Sequence, residues 1–316
     1  MDRRTFVRNS LAATAGAAMT FGFEEQNLLA HAAENDKKEP PKPAEPAAFP
    51  CGKIGDLEIS RIICGGNLIS GHAHSRDLMY VSKLLMHYFT DEKVMETLAL
   101  AEKSGVNTAI LRYDERTVRL INKYWREYNG SLQWIAQLKP QENDLAADAR
   151  KAVDMGAVGL YVQGETSDRW VRTGRADLLG KALDALRRTG VIVGLGAHAI
   201  QVLHACEKDK VVPDFFMKTF NSKSYWSAGP KDRNDSVWEE TPEETAAFMK
   251  TSNVPWIAFK VLGAGAIPPE EGFKYAFEHG ADFLCVGMFD FQVEEDVRIA
   301  RQLLAGDLKR ERAWKA

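Results

Sequence analysis

The sequence of 316 residues is 45% hydrophobic and 27% charged with a formal net charge of −3, so it can build a core and lacks the basic surplus that nucleic-acid binding requires. Its cysteines, Cys51, Cys64, Cys206 and Cys285, lie scattered and without CxxC spacing, which excludes a disulfide scaffold and a thiolate metal cluster.

The chain opens with Met1-Asp2-Arg3-Arg4-Thr5-Phe6-Val7-Arg8, a modest apolar run from Leu11 to Phe23 and a small-residue exit near Ala30-His31-Ala32. Paired arginines ahead of such a run form the pattern of a twin-arginine signal. Residues 1–32 are therefore expected to engage the twin-arginine export machinery and the mature protein to be periplasmic. The run is too short and too rich in Ala and Gly to span a bilayer well, so removal is expected and no stable membrane span. Residues 33–50 are charged, proline-rich and without apolar periodicity, the composition of a disordered linker. One domain is expected over residues 51–316, the length of a single barrel.

Lys53-Ile54 and Leu57-Glu58-Ile59 flank Gly55-Asp56, the pattern of a tight hairpin. The first buried strand, RIICGGN, is followed by the amphipathic set Leu78, Val81, Leu84, Leu85 and Tyr88. That set predicts an inserted helix that shields a pocket mouth or presents a partner face, and Thr90-Asp91-Glu92 then restarts a helix. From here one junction recurs. Lys103-Ser104-Gly105 leads into VNTAIL, Asp154-Met155-Gly156 into AVGLYV and Arg188-Thr189-Gly190 into VIVGLG, each a helix end, a glycine and a buried strand. QWIAQLK, DFFMKTF, WIAFKVL and ADFLCVG complete the set of eight strands. Thr241-Pro242-Glu243-Glu244 reads as a capping box with proline at the first helical position, and Pro268-Pro269-Glu270-Glu271 starts another helix. The alternation predicts an α/β fold, a (β/α)8 TIM barrel. An open doubly wound sheet is the alternative, and no glycine fingerprint follows the first strand at the spacing it would use to bind a dinucleotide.

Residues 49–68, FPCGKIGDLEISRIICGGNL, join the hairpin to the first strand in a way that resembles the opening of aldo/keto reductases, where a hairpin plugs the barrel floor. AEKSGVNTA resembles that family's entry to strand two and AVGLYVQ its fourth strand. LRRTGVIVGLGAHAIQVL resembles its IGVS-type segment, and VGMFDFQVEEDVRIA the stretch after strand eight that holds cofactor phosphates. The resemblance implies an oxidoreductase that uses NADP or NAD on a carbonyl or sugar-like small molecule, through a tetrad of Asp, Tyr, Lys and His. Carried over, the Asp falls at Ile110, the Tyr at Glu115 with Tyr113 nearby, the Lys within one residue of Lys139 and the His at Gln163 or Gly164. The standard tetrad is not intact, and the fold alone does not supply the chemistry. Gly287 and Met288 would lie at the cofactor's phosphate end, with no Arg or Lys directly beside them for a 2′-phosphate.

In such barrels the chemistry gathers where strands end. Lys139, Lys218 and Lys260 each close an apolar strand, where lysine is seldom placed without a partner. Each is a candidate for Schiff-base chemistry or anion binding, or else pairs with a neighbouring carboxylate. With His198 and Tyr113 they form the catalytic candidates, and Asn67, His74, Arg112, Gln163, Asn221, Trp226 and Asp290 are the expected substrate contacts. His72-x-His74, His198 and Asp290 follow the ligand order of amidohydrolase barrels, yet Lys218 stands where that pattern wants a histidine, and no metal site is assigned. The loop over 221–240 carries Tyr225, Trp226 and Trp238, which suit the face of a sugar ring or else pin the loop. Three functions stay open: a reductase-like enzyme, a non-redox lyase, isomerase or hydrolase on the same barrel, and a carbohydrate-binding protein. Cys64 and Cys285 fall on the first and last strands, as a conceivable bridge or as two small buried residues.

Overall fold

The computed structural model describes residues 49–72, 78, 80–224 and 239–316. The expected signal, most of the linker, His74 and the aromatic residues Tyr225, Trp226 and Trp238 lie outside the described residues.

Strands β1 (Cys51–Ile54) and β2 (Leu57–Ser60) pair antiparallel with Ile54 opposite Leu57, which leaves Gly55-Asp56 as the turn with Gly55 at φ +58°. Eight parallel strands then close a barrel: β3 (Ile62–Gly65), β4 (Thr108–Arg112), β5 (Gln133–Leu138), β6 (Ala157–Val162), β7 (Ile192–Ala197), β8 (Phe215–Thr219), β9 (Trp256–Phe259) and β10 (Phe283–Val286). They stand in sequence order, and β10 closes onto β3. Helices alternate with them as the glycine junctions require: α1 (Tyr80–Tyr88), α2 (Asp91–Lys103), α3 (Glu115–Glu127), α4 (Ala149–Asp154), α5 (Gly164–Arg172), α6 (Asp177–Arg187), α7 (Ile200–Lys208), α8 (Pro242–Thr251), α9 (Pro269–Glu278) and α10 (Asp290–Ala305). The fold is a (β/α)8 barrel with an amino-terminal hairpin.

Side-chain alternation along the strands separates two cores. Ile63, Ile110, Ile135, Tyr161, Phe215, Met217, Ile257, Phe283 and Cys285 fill the barrel interior, and Ile54 and Ile59 of the hairpin join them. Cys64, Ala109, Leu111, Trp134, Ala136, Leu160, Phe216 and Leu284 face the helix ring. The same alternation decides the cysteine pair. Val286 is the partner of Cys64 and Ile63 that of Cys285, so the two thiols sit on neighbouring strands but in different cores. Both are free and buried, and burial pushes the Cys64 thiol up to about 12.

Helix ends follow the sequence with one correction. Gly105 and Gly280 adopt φ +104° and +102° where a Cβ would press on Phe49 and Arg312, so each both ends a helix and lets the chain pass closely. Thr90 caps α2 by accepting from the Lys93 amide. Pro242 opens α8 as read, but Thr241 makes no side-chain cap, so the capping box does not form. Instead Glu239 accepts from the Thr241 amide at 3.1 Å. No helix among the described residues is long and apolar enough to cross a membrane.

Candidate active site

A cavity of about 330 Å³ opens at the carboxyl ends of the strands. Register determines what it presents. Arg112 of β4 pairs with Gln137 of β5, Gln137 with Tyr161 of β6, and Tyr161 with Gly194 of β7. Since Ile110 and Ile135 two residues earlier face inward, Arg112, Gln137 and Tyr161 form a polar row along the cavity. The row stops at Gly194, where the Phe215 ring occupies the space a side chain would need.

Within that row the Gln137 amide, Nε2, donates to Tyr161 Oη at 2.6 Å. The phenol oxygen is thereby used as an acceptor, and its own proton is left to donate. Tyr161 is only 2% exposed, and burial, with the Cys285 thiol nearby, pushes its pKa well above the ordinary phenol range. Gln137 and Arg112 act in the opposite sense.

The remaining walls come from β3, β9, β10 and the inserted helix. Gly65 and Gly66 extend β3, Cys285 and Gly287 belong to β10 and its loop, and Phe259 and Lys260 to the end of β9. Lys260 holds φ +58°, and its carbonyl accepts from the Asn221 side-chain amide at 3.3 Å. Helix α1 turns Val81 and Leu85 onto the cavity while Leu84 and Tyr80 stay exposed. The helix is seated by Arg116, which donates to the carbonyls of Ile69 and Phe89, and by Tyr88, whose ring packs on Phe89 and Phe289.

Of the residues marked in the sequence, Asn67, Arg112, Lys260 and Gly287 are brought together around this cavity. Lys218 is not. It follows Phe216 on the outward face, is fully buried, and donates to Glu239 at 2.7 Å and to the Thr219 hydroxyl and carbonyl. Burial lowers its pKa against the opposing pull of Glu239. Tyr113 also faces outward, stacked on Trp134 at 6.4 Å. Lys139 is exposed, and Gln163 stands at the start of α5 with its amide bonded to the Leu138 carbonyl. Asn221 is buried and pins its own loop. Met288 is buried in the outer core, beside Gly287 on the cavity wall. His198 lies across Phe259 from the cavity. Its Nδ1 sits 2.7 Å from Asp168, which also accepts from the His198 and Ala199 amides. Gln137, Tyr161 and Cys285 were not marked as site residues, although the two-residue step from Ile110, Ile135 and Gly159 points to the row.

Among the described residues no group of three carboxylate, His or Cys side chains could hold a metal ion. The phosphate end of a nicotinamide nucleotide would want the start of α10 clear of negative charge. Asp290 opens that helix instead, accepting from the Tyr88 hydroxyl at 2.5 Å and from Lys93 at 2.9 Å. Burial works to raise its pKa, but these two bonds, together with the charge of Lys93 and a backbone hydrogen bond, bring the carboxyl below its usual range. A phosphate at this point would meet a carboxylate and a lysine already engaged, so the residues do not fit that end of the nucleotide.

No family profile and no curated protein matches the sequence. Solved structures do match the barrel. A Pseudomonas aeruginosa protein assigned as an aldo-keto reductase gives a TM-score of 0.57 at 16% identity, over 81% of this chain and 94% of its own. An aldo-keto reductase from Bacillus halodurans gives 0.54 at 12%, over 81% and 95%. A truncated 3-deoxy-D-arabino-heptulosonate 7-phosphate synthase from Thermotoga maritima gives 0.52 at 12%, over 82% and 93%. At such identities the likeness is one of fold.

Proposed function

We propose that this chain is a barrel enzyme, similar in fold to aldo/keto reductases, that activates the carbonyl group of a small molecule with Tyr161 as the donor. The observation that carries this reading is the Gln137 to Tyr161 hydrogen bond in the polar row lining the cavity. A carbonyl oxygen placed there accepts from the phenol. As electron density moves onto that oxygen the Tyr161 proton follows, and Gln137 and Arg112 stabilise the oxygen left behind. Burial keeps the phenol protonated through the neutral range, which secures the donor form.

Such a donor serves carbonyl reduction, the chemistry implied by the resemblance, and equally a non-redox isomerisation or lyase reaction. Asp290 at the start of α10 favours the non-redox class. The twin-arginine pattern supports the same choice, because free NADPH is not expected outside the cytoplasm.

Purified protein incubated with a panel of aldehydes, ketones and 2-oxo acids separates the classes. Oxidation of added NADPH or NADH at 340 nm marks a reductase, and deuterium uptake beside the carbonyl in heavy water without nucleotide marks enolisation. Tyr161→Phe is expected to abolish whichever is found. Binding of sugars without either reaction would contradict the enzyme reading and leave the carbohydrate-binding one.

A further inference from the structure

We infer that the substrate is a 2-hydroxy carbonyl compound, its carbonyl oxygen held by Tyr161 and its hydroxyl read by the side-chain oxygen of Gln137. The inference deepens the carbonyl-activating reading and rests on it for what happens to the ligand, not for recognition of the hydroxyl.

Gln137 has two polar ends, and the fold uses one of them. Its Nε2 donates to Tyr161 Oη at 2.6 Å, on the side of β6. On the side of β4 its register neighbour is Arg112, and that guanidinium is drawn through Nε to Asp114 at 3.2 Å. Asp114 is itself fixed by accepting from the Thr117 amide at 2.8 Å. Among the described residues nothing donates to Gln137 Oε1, and the side chain is half-buried on the cavity wall, not closed off in the core.

The rest of the row cannot supply an acceptor. Arginine carries donors only, and the Tyr161 oxygen already accepts from Gln137, which leaves the phenol proton to donate. Gln137 Oε1 is therefore the acceptor of the row, and from standard amide dimensions it stands roughly 3.5–5 Å from Tyr161 Oη. A donor and an acceptor at that spacing match a carbonyl with a hydroxyl on the next carbon, the carbonyl accepting from the phenol and the hydroxyl donating to the amide. A ketone without that hydroxyl would displace water from Oε1 and give it no donor in return, the kind of loss by which a site rejects an analogue lacking one hydroxyl. Ile110, Met217, Phe259 and Leu85 line the same cavity and accommodate an apolar body.

Isothermal titration tests this with 2-hydroxyacetophenone, acetophenone and 2-methoxyacetophenone against the wild-type chain and the Gln137→Met and Gln137→Glu variants. 2-Hydroxyacetophenone is expected to bind the wild type about tenfold more tightly than the other two, since it alone donates. Gln137→Met is expected to abolish that preference while holding acetophenone within about threefold, which also shows that the variant folds, and Gln137→Glu, which keeps an acceptor, to retain it. Dihydroxyacetone carries the same unit on a polar body, and the tighter of the two hydroxy ketones tells an apolar acyloin from a sugar-like source. Equal affinity of the wild type for the three aryl ketones, no binding of any of them, or a preference unchanged in Gln137→Met would overturn the hydroxyl assignment. The carbonyl reading fails separately: 2-hydroxyacetophenone bound with the preference intact, yet neither enolised nor reduced, would overturn that reading and leave Gln137 as the group that reads the hydroxyl.

Discussion

Tyr161 and Asp296 show how burial acts on two acids with opposite consequences. Tyr161 is held protonated beside a group that hydrogen-bonds its oxygen, which makes it a donor. Replacing it with Phe is expected to lower kcat by about 10²- to 10⁴-fold with KM changed only severalfold, as steady-state kinetics would record. Asp296 on α10 is 2% exposed, its Oδ2 has no partner among the described residues, and burial, with Glu295 adding to it, pushes its pKa up to about 7. Its folded pKa lies above the ordinary 3.8, so the folded state holds the proton more tightly than the unfolded one. Stability from this group is therefore greatest below about pH 4, declines as pH rises towards 7, and is level above that. Asp296→Asn is expected to remove the decline, a difference of up to ~4 kcal/mol at pH 8, read from urea unfolding at a series of pH values. Neither residue was legible as a site or a liability in the sequence. Composition and local pattern do not say which polar side chain of an apolar strand or helix faces inward, and for Gln137 and Tyr161 only the count from Ile135 and Gly159 carries that information.

The buried pair of Lys218 and Glu239 fastens β8 to the turn before α8, and Glu239 also accepts from Thr245. Glu239→Ala leaves a fully buried ammonium without its counter-ion and is expected to cost about 3–5 kcal/mol in chemical denaturation. Lys218→Met paired with Glu239→Leu should recover most of that loss, and it should leave ligand binding in the cavity unchanged if Lys218 serves only the scaffold. Lysine at the end of an apolar strand is a sound signal of a special environment, but the sequence does not show which side of the strand it takes. One residue of register separates a rim lysine such as Lys260 from a buried one such as Lys218. Helix α1 was legible as an insertion from Val81, Leu85 and Tyr88. Leu85→Ala removes a buried contact on the cavity side and is expected to cost about 2–5 kcal/mol and to weaken ligand binding, measured by urea unfolding and by titration.

At the scale of the barrel, the repeated helix, glycine and strand junction made the architecture readable from the chain alone, because each Gly and each apolar strand repeats one local instruction. What the repeats do not encode is how neighbouring strands face each other. Cys64 and Cys285 are adjacent in the barrel yet in different cores, so mass spectrometry of the oxidised, unfolded and alkylated protein is expected to find both thiols and no peptide joined through them. We propose that the full chain is exported, and Arg3→Lys with Arg4→Lys is expected to retain it in the cytoplasm on cell fractionation. The polar row of Arg112, Gln137 and Tyr161 is the feature on which the functional reading depends. A crystal structure of the protein soaked with phenylpyruvate tests it most directly. The expected result is a ligand in the cavity with its keto oxygen about 3 Å from Tyr161 Oη. A ligand seated instead at the His198 and Asp168 pair, or one in the cavity with its keto oxygen turned away from Tyr161, would contradict it.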